Sequence, residues 1–171
     1  METSNIIEQT RSVMVKMVTD AWLAQNDRID KLVGSLTDEQ IAARTAPDRN
    51  TGTYIFGHLI AVSDRIVEAL GWGGRSYPEL DEPFLFKPDG SDLPRPSVSQ
   101  LREYWTNVNK TISAGMATMQ PADWFTRHST VSAEDFEKEP HRNKLNILLS
   151  RSIHTSNHLG QLTYLKEKQE G

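Results

Sequence analysis

Apolar residues recur at intervals of three and four in four segments of the chain, and this spacing predicts four amphipathic helices. The first helix is expected to open at Ser4 or Asn5, with Glu8 as a capping-box partner, and to end at Gly34 and Ser35. Its predicted core-facing stripe comprises Ile7, Met14, Val18, Ala21, Ile29 and Leu32. No segment between the four shows the strict alternation of a strand, so the chain is predicted to be all-α.

The other three helices follow from the same periodicity. The second is predicted to start near residues 51–53 and to stop at Gly71. The third is predicted to open with a capping box at Ser97 and to end at Pro121, and the fourth to run from about residue 142 to about residue 168. A short turn is expected at residues 37–40, and an irregular stretch is expected to carry Trp124, Phe125 and Pro140.

The connection between the second and third helices is long. Residues 71–96 contain four glycines and five prolines and are predicted to hold no helix. Such a loop is either a functional lid or a crossover along the molecule. As a crossover it would let the two helices run parallel, which predicts a four-helix bundle of up-down-down-up order in a single domain spanning residues 1–171.

Composition limits the classes of function. A net charge of −4 and a pI near 5.7 provide no positive field for nucleic acid or anionic lipid. The chain has no cysteine, which excludes disulfides, thiolate zinc sites and a cysteine nucleophile. No signal-like leader and no apolar run of about 20 residues is present, so a cytoplasmic protein without a membrane partner is expected.

Histidines supply the candidate chemistry. His154 and His158 stand four residues apart on the apolar face of the predicted fourth helix, and His58 lies on the apolar face of the second. Three histidines converging from two helices can hold a divalent metal and leave a fourth position open. The alternative is that they are hydrogen-bonded core residues. His128 and His141 lie in loop-like sequence, where a metal role is not expected.

Further polar residues interrupt the apolar faces. Arg151, one turn before the first histidine of the fourth helix, could hold an anionic substrate group or an acidic partner residue. Gln161 could orient a ligand histidine or a metal-bound water without binding the metal itself. Arg11 and Gln25 interrupt the stripe of the first helix, and Arg11 is expected to be partly exposed with its stem packed.

The opposite side of the predicted fourth helix is also apolar, with Leu149, Ile153 and Tyr164. A helix that is apolar on two sides is either central in its bundle or packed against another subunit. A homodimer is therefore expected.

Three segments resemble the DinB-like superfamily of metal-binding four-helix bundles. IFGHLIAVSDR is similar to the second-helix motif with its single metal-binding histidine, PSVSQLREYW to the start of the third helix, and IHTSNHLGQLTYL to the fourth-helix signature of two histidines followed by Gly-Gln. The resemblance covers the chain from the first helix to about residue 165. It implies that His58, His154 and His158 form the metal triad of an up-down-down-up bundle.

The resemblance leaves the reaction open. Members and relatives include transferases and isomerases that use bacillithiol, mycothiol or glutathione. The leading hypothesis is thus a metal-dependent thiol S-transferase of detoxification or stress response, acting on a small molecule with a low-molecular-weight thiol as cosubstrate. A metal-dependent hydrolase and a non-catalytic metal-binding stress protein are the alternatives. Three imidazoles suit zinc, nickel, iron or copper, and no catalytic residue is assigned.

Overall fold

The computed structural model describes residues 2–166, which form helices and connecting segments without a β-strand. The α-helices are α1 (Glu2–Ser35), α2 (Asp38–Ala42), α3 (Gly52–Ala69), α4 (Val98–Ala117), α5 (Ala133–Lys138) and α6 (Lys144–Thr163). Two 3₁₀-helices (Pro78–Leu80 and Pro121–Phe125) and one π-helix (Glu82–Phe86) lie in the connections. The prediction of an all-α protein is confirmed for this part of the chain.

Side-chain caps fix the starts of three of the long helices. The hydroxyl of Thr51 accepts a hydrogen bond from the N–H of Tyr54 at the start of α3. Ser97 and Gln100 form a capping box at the start of α4. The predicted starts of these two helices are therefore confirmed. Asn143 caps α6, which begins within two residues of the expected position.

The predicted start of α1 is wrong. The helix begins at Glu2, so Ser4 and Asn5 lie inside it. A polar residue caps a helix only where the preceding chain leaves the helical conformation, and the chain does not do so here. The end at Ser35 agrees with the prediction, whereas α6 ends at Thr163, and its expected end near residue 168 lies outside the described residues.

The apolar stripe of α1 is buried only in its second half. Ile29 and Leu32 are in the core, but Ile7 and Met14 are 48% and 46% exposed, against the prediction. α1 has 34 residues and α6, its main neighbour, has 20. At 1.5 Å per residue, α6 covers only about 30 of the roughly 51 Å of α1. Part of α1 is thus left without a covering helix.

The connection between α3 and α4 contains helical turns, so the prediction that it holds none is wrong. Pro78 and Pro83 lie in the first turns of the 3₁₀-helix and the π-helix, where a missing N–H is tolerated. Short helices also replace the expected turn at residues 37–40 and part of the irregular stretch before α6. Periodicity cannot detect helices of five or six residues, because they span fewer than two turns.

A buried carboxylate holds this connection against α3. Asp64 of α3 is 0% exposed and accepts hydrogen bonds from the backbone N–H groups of Ser76 and Tyr77, at 2.9 and 3.1 Å. Its other partner is Arg75, whose guanidinium also binds Asp81 at 2.7 and 2.6 Å. The buried charges are thus paired within one network, which positions the following π-helix beside α3.

The hydrophobic core centres on α3, which packs against α4, α6 and the π-helix. The largest fully buried side chains of the core include Trp22, Phe56, Phe84, Trp124 and Leu101. Within residues 2–166, no helix combines the length and the apolarity that a membrane span requires.

Candidate metal centre

The three histidines singled out in the sequence meet between α3 and α6. His154 and His158 lie one turn apart on α6, and His58 faces them from α3. The Nε2 atom of His154 lies 3.1 Å from Nε2 of His58 and 3.1 Å from Nε2 of His158. One ligand atom from each side chain lies within 4.8 Å of the others, and no carboxylate of residues 2–166 joins the group. The cluster could therefore bind a metal ion through three imidazole nitrogens.

The Nδ1 atoms of His58 and His158 point away from the cluster, and their hydrogen-bond partners determine the tautomers of these two rings. The Nδ1 of His58 lies 3.0 Å from the carbonyl oxygen of Phe84, which can only accept, so Nδ1 is the donor. The Nδ1 of His158 lies 2.9 Å from Oε1 of Gln161 and donates to it in the same way. In the neutral rings, both Nε2 atoms therefore carry lone pairs that point into the cluster.

This pattern leaves a position for a cation. A neutral His154 can donate its Nε2 proton to only one of the two neighbouring Nε2 acceptors. The other contact then places two nitrogens 3.1 Å apart with no proton between them, and in the Nδ1–H tautomer of His154 both contacts set lone pair against lone pair. A metal cation bound to the three lone pairs removes this mismatch. Two nitrogens at about 2.0–2.1 Å from a zinc ion lie roughly 3.3 Å apart at a tetrahedral angle. The spacing and the donor set thus fit a transition metal.

The surroundings keep the rings neutral. The pKa of His154 is lowered from 6.5 to about 4, chiefly by burial and then by the charges that His158 and His58 would carry. Burial also lowers the pKa of His58, although the hydrogen bond to Phe84 opposes it. Burial lowers the pKa of His158 as well, against the hydrogen bond to Gln161. At neutral pH, all three imidazoles are therefore available as ligands.

A glycine allows the close approach of the π-helix. A Cβ atom on Gly57 would lie 2.3 Å from the ring of Phe84, so only glycine fits at this position. The same approach brings the carbonyl of Phe84 to the ring of His58. Sequence reasoning missed both residues. The signal that could have found Gly57 is a glycine inside an otherwise regular apolar helix, directly before the histidine.

Gln161 lies beside the triad, whereas four other polar residues singled out in the sequence lie away from it: Arg11, Gln25, His128 and His141. Gln161 is exposed and lies beside the triad through its bond to His158. His128 is buried against the hydroxyl of Thr130 and His141 is exposed, and neither belongs to the cluster. Arg11 is partly exposed, as expected, with its side chain 42% accessible. The Oε1 atom of Gln25 is buried without a hydrogen-bond donor among the described residues.

An open cavity of about 250 Å³ borders the triad. His58 and His158 line it together with Tyr54, Ile55 and Leu85, among others. A ligand of a few heavy atoms can therefore reach the ring nitrogens from solvent. Metal sites that react with substrates combine three protein ligands with such an open position, whereas structural sites are closed by a fourth ligand.

Comparison with known proteins agrees with this geometry. A family model described as the DinB superfamily matches residues 21–162, which include the whole triad. The chain belongs to the DinB superfamily. A search of curated proteins finds no match.

Proposed function

We propose that this protein is a metal-dependent transferase that joins a low-molecular-weight thiol to a small electrophile, in detoxification or stress response. The observation that carries the proposal is an all-imidazole cluster of His58, His154 and His158 that opens into a cavity. Membership of the DinB superfamily supports a metal-binding role. Three imidazole ligands suit zinc, nickel, iron and copper ions.

The chain supplies the site but no sulfur nucleophile. It has no cysteine, so the reacting thiol would come from the cosubstrate. A metal with an open position lowers the pKa of a thiol bound there and so supplies a thiolate at neutral pH. Phe84 and Gln161 hold the rings of His58 and His158 in the ligating orientation through their Nδ1 atoms. The side chains of Ile55 and Leu85 give the cavity an apolar lining beside the histidines.

The hydrolase alternative needs a base that takes a proton from water. No Asp or Glu of the described residues joins the histidine group. This absence of a neighbouring carboxylate favours the transferase. A non-catalytic metal-binding protein would show neither reaction.

The experiment is a turnover assay with untagged, metal-loaded protein. Bacillithiol, mycothiol and glutathione are each offered with a chromogenic electrophile, and the thioether product is identified by mass spectrometry. The proposal expects product with at least one thiol, its loss in His58→Ala, and its retention in His141→Ala, a matched histidine outside the cluster. Hydrolysis of an activated ester by the same protein, without thiol turnover, would support the hydrolase instead. Metal binding without either reaction would support the non-catalytic protein.

We also propose the arrangement of the whole molecule. The long connection between α3 and α4 suits an up-down-down-up bundle formed by the four long helices of one domain. Exposed apolar side chains on α6, with Ile153 at 65%, suit a homodimer. Sedimentation velocity should then give a dimer for the parent and a monomer for Ile153→Glu. A cytoplasmic location stays a prediction and is supported by the absence of cysteine.

A further inference from the structure

A second cavity, of about 330 Å³, lies between α3, α6 and the connecting segments. Its walls carry the guanidinium groups of Arg65, Arg75 and Arg151, the hydroxyl of Ser129 and one exposed carboxylate, Glu68. Three arginines thus line one cavity although the net charge of the chain is −4. Acidic side chains of the protein neutralise only some of these positive charges.

The three arginines differ in their partners. Arg75 is fully engaged, since it binds Asp64 at 3.2 Å and Asp81 at 2.7 and 2.6 Å. Arg65 lies 3.3 Å from Asp81, but its side chain is 50% exposed. Arg151 makes no hydrogen bond or ion pair with any residue among 2–166, although its side chain is half-buried.

An unpaired cation in this position is unfavourable in the absence of a ligand. Burial lowers the pKa of Arg151, and the like charge of Arg65 lowers it further. Burying a charge without a partner is costly, and proteins usually pair such a group or keep it for a ligand. Glu68 is exposed and forms no ion pair with Arg151. The cavity thus offers a half-buried guanidinium with free donors, and a hydroxyl on Ser129 beside it.

The cavity lies next to the histidine triad. Val62, which lines it, follows His58 by four residues on α3, and Arg151 precedes His154 by three residues on α6. Each step corresponds to about one helical turn, or roughly 5 Å along the axis. Tyr54 and Ile55, which line the open cavity at the triad, precede His58 on α3, whereas Val62 follows it, so the two cavities flank the triad along this helix. An anion bound to Arg151 would therefore lie about one helical turn from the triad.

We propose that this cavity binds the carboxylate or phosphate group of the molecule that reacts at the histidine triad, with Arg151 as its main partner and Arg65 at the rim. The inference rests on the proposed function for the identity of the reacting molecule. It narrows the substrate class to small acidic compounds whose anionic group lies a few bonds from the reacting atom. A guanidinium recognises either anion through two parallel N–H donors, and Lys in its place could not do so.

The first test measures anion binding directly, by calorimetry on zinc-loaded protein. The probes are succinate, inorganic phosphate and the neutral analogue succinamide. We expect succinate or phosphate to bind at least about tenfold more tightly than succinamide, and the tighter of the two identifies the preferred anion. Arg151→Gln should abolish this preference, and Arg65→Gln should reduce it less because Arg65 is more exposed.

Arg28→Gln is the matched control, because Arg28 is exposed on α1 and does not line the cavity. It should bind all three probes as the parent does. The inference is overturned if the anions bind no better than succinamide, or if Arg151→Gln keeps the preference. The latter result would mean that the anions bind the metal alone. Arg65→Gln provides the readout if Arg151→Gln fails to fold.

The second test separates this inference from the proposed function. Cobalt-substituted protein is titrated with 3-mercaptopropionate and with the neutral 2-mercaptoethanol, and the visible spectrum reports sulfur binding to the metal. We expect the acidic thiol to bind about tenfold more tightly in the parent and equally well in Arg151→Gln. If both thiols bind equally in the parent, the inference fails while the thiol site stands. If neither thiol changes the spectrum but succinate still requires Arg151, the proposed function fails and the anion site stands.

Discussion

The lowered pKa of His154 makes the stability of the metal-free protein depend on pH. The folded protein keeps this ring neutral down to about pH 4, whereas an unfolded chain protonates it near 6.5. Between these values the unfolded state binds more protons, so the free energy of unfolding rises with pH. The contribution is complete above pH 6.5 and is lost as the pH falls towards 4.

The magnitude follows from the pKa difference. A shift from 6.5 to about 4 corresponds to about 3 kcal/mol as an upper limit. His154 is only half-buried, and solvent screens part of the effect, so about 1–2 kcal/mol is expected. Metal would add to the effect by binding only the neutral rings, and it is therefore removed with a chelator first.

The assay is urea unfolding of metal-free protein at several pH values between 7.5 and 4.5. The parent should lose about 1–2 kcal/mol more than His154→Gln over this range, because glutamine cannot be protonated. His141→Gln, a change at an exposed histidine outside the cluster, should follow the parent. If the parent and His154→Gln lose stability equally, the ring of His154 does not titrate as the geometry requires, and the reasoning is refuted.

Three further predictions concern residues around the site. Gly57→Ala should lower the free energy of unfolding by about 1–3 kcal/mol, because the added Cβ clashes with the ring of Phe84. Gly160→Ala is the control: its added Cβ meets no atom within 4 Å, so it should raise the free energy of unfolding by up to about 1 kcal/mol. Urea unfolding of both variants measures the two changes, and equal effects would contradict the clash. Gln161→Leu should weaken metal affinity by about 10–100-fold, measured against a competing chelator, and an unchanged affinity would remove Gln161 from the site. Asp64→Ala should cost about 3–5 kcal/mol and make residues 71–97 the first site of proteolysis, and resistance to protease there would contradict the role of its buried network.

Much of the site could be predicted from helical periodicity. His154 and His158 share one face because a spacing of four residues is close to one turn, and His58 follows the apolar stripe of its own helix. Pairing of these faces across the core then brought the three rings together. The starts of α3 and α4 were predictable for a similar reason, since the caps at Thr51 and Ser97 are local to the sequence.

Features that depend on tertiary contacts could not be predicted. The carbonyl of Phe84 reaches His58 where Gly57 leaves room for the ring of Phe84 and where Asp64 and Arg75 hold the connecting segment against α3. No periodic pattern encodes these contacts. The exposure of Met14 depends on the length of a neighbouring helix rather than on its own surroundings in sequence. Arg151 was singled out, but its lack of an acidic partner became visible only in the folded chain.

The central claim is that three histidines bind one transition metal ion, and elemental analysis of untagged protein by mass spectrometry tests it most directly. The protein is analysed as purified and after incubation with zinc or nickel, together with His58→Ala, His154→Ala and the control His141→Ala. The account predicts close to one equivalent of metal in the parent and in the control, and its loss in both triad variants. Absence of metal from the parent after loading, or full occupancy in His154→Ala, would contradict it.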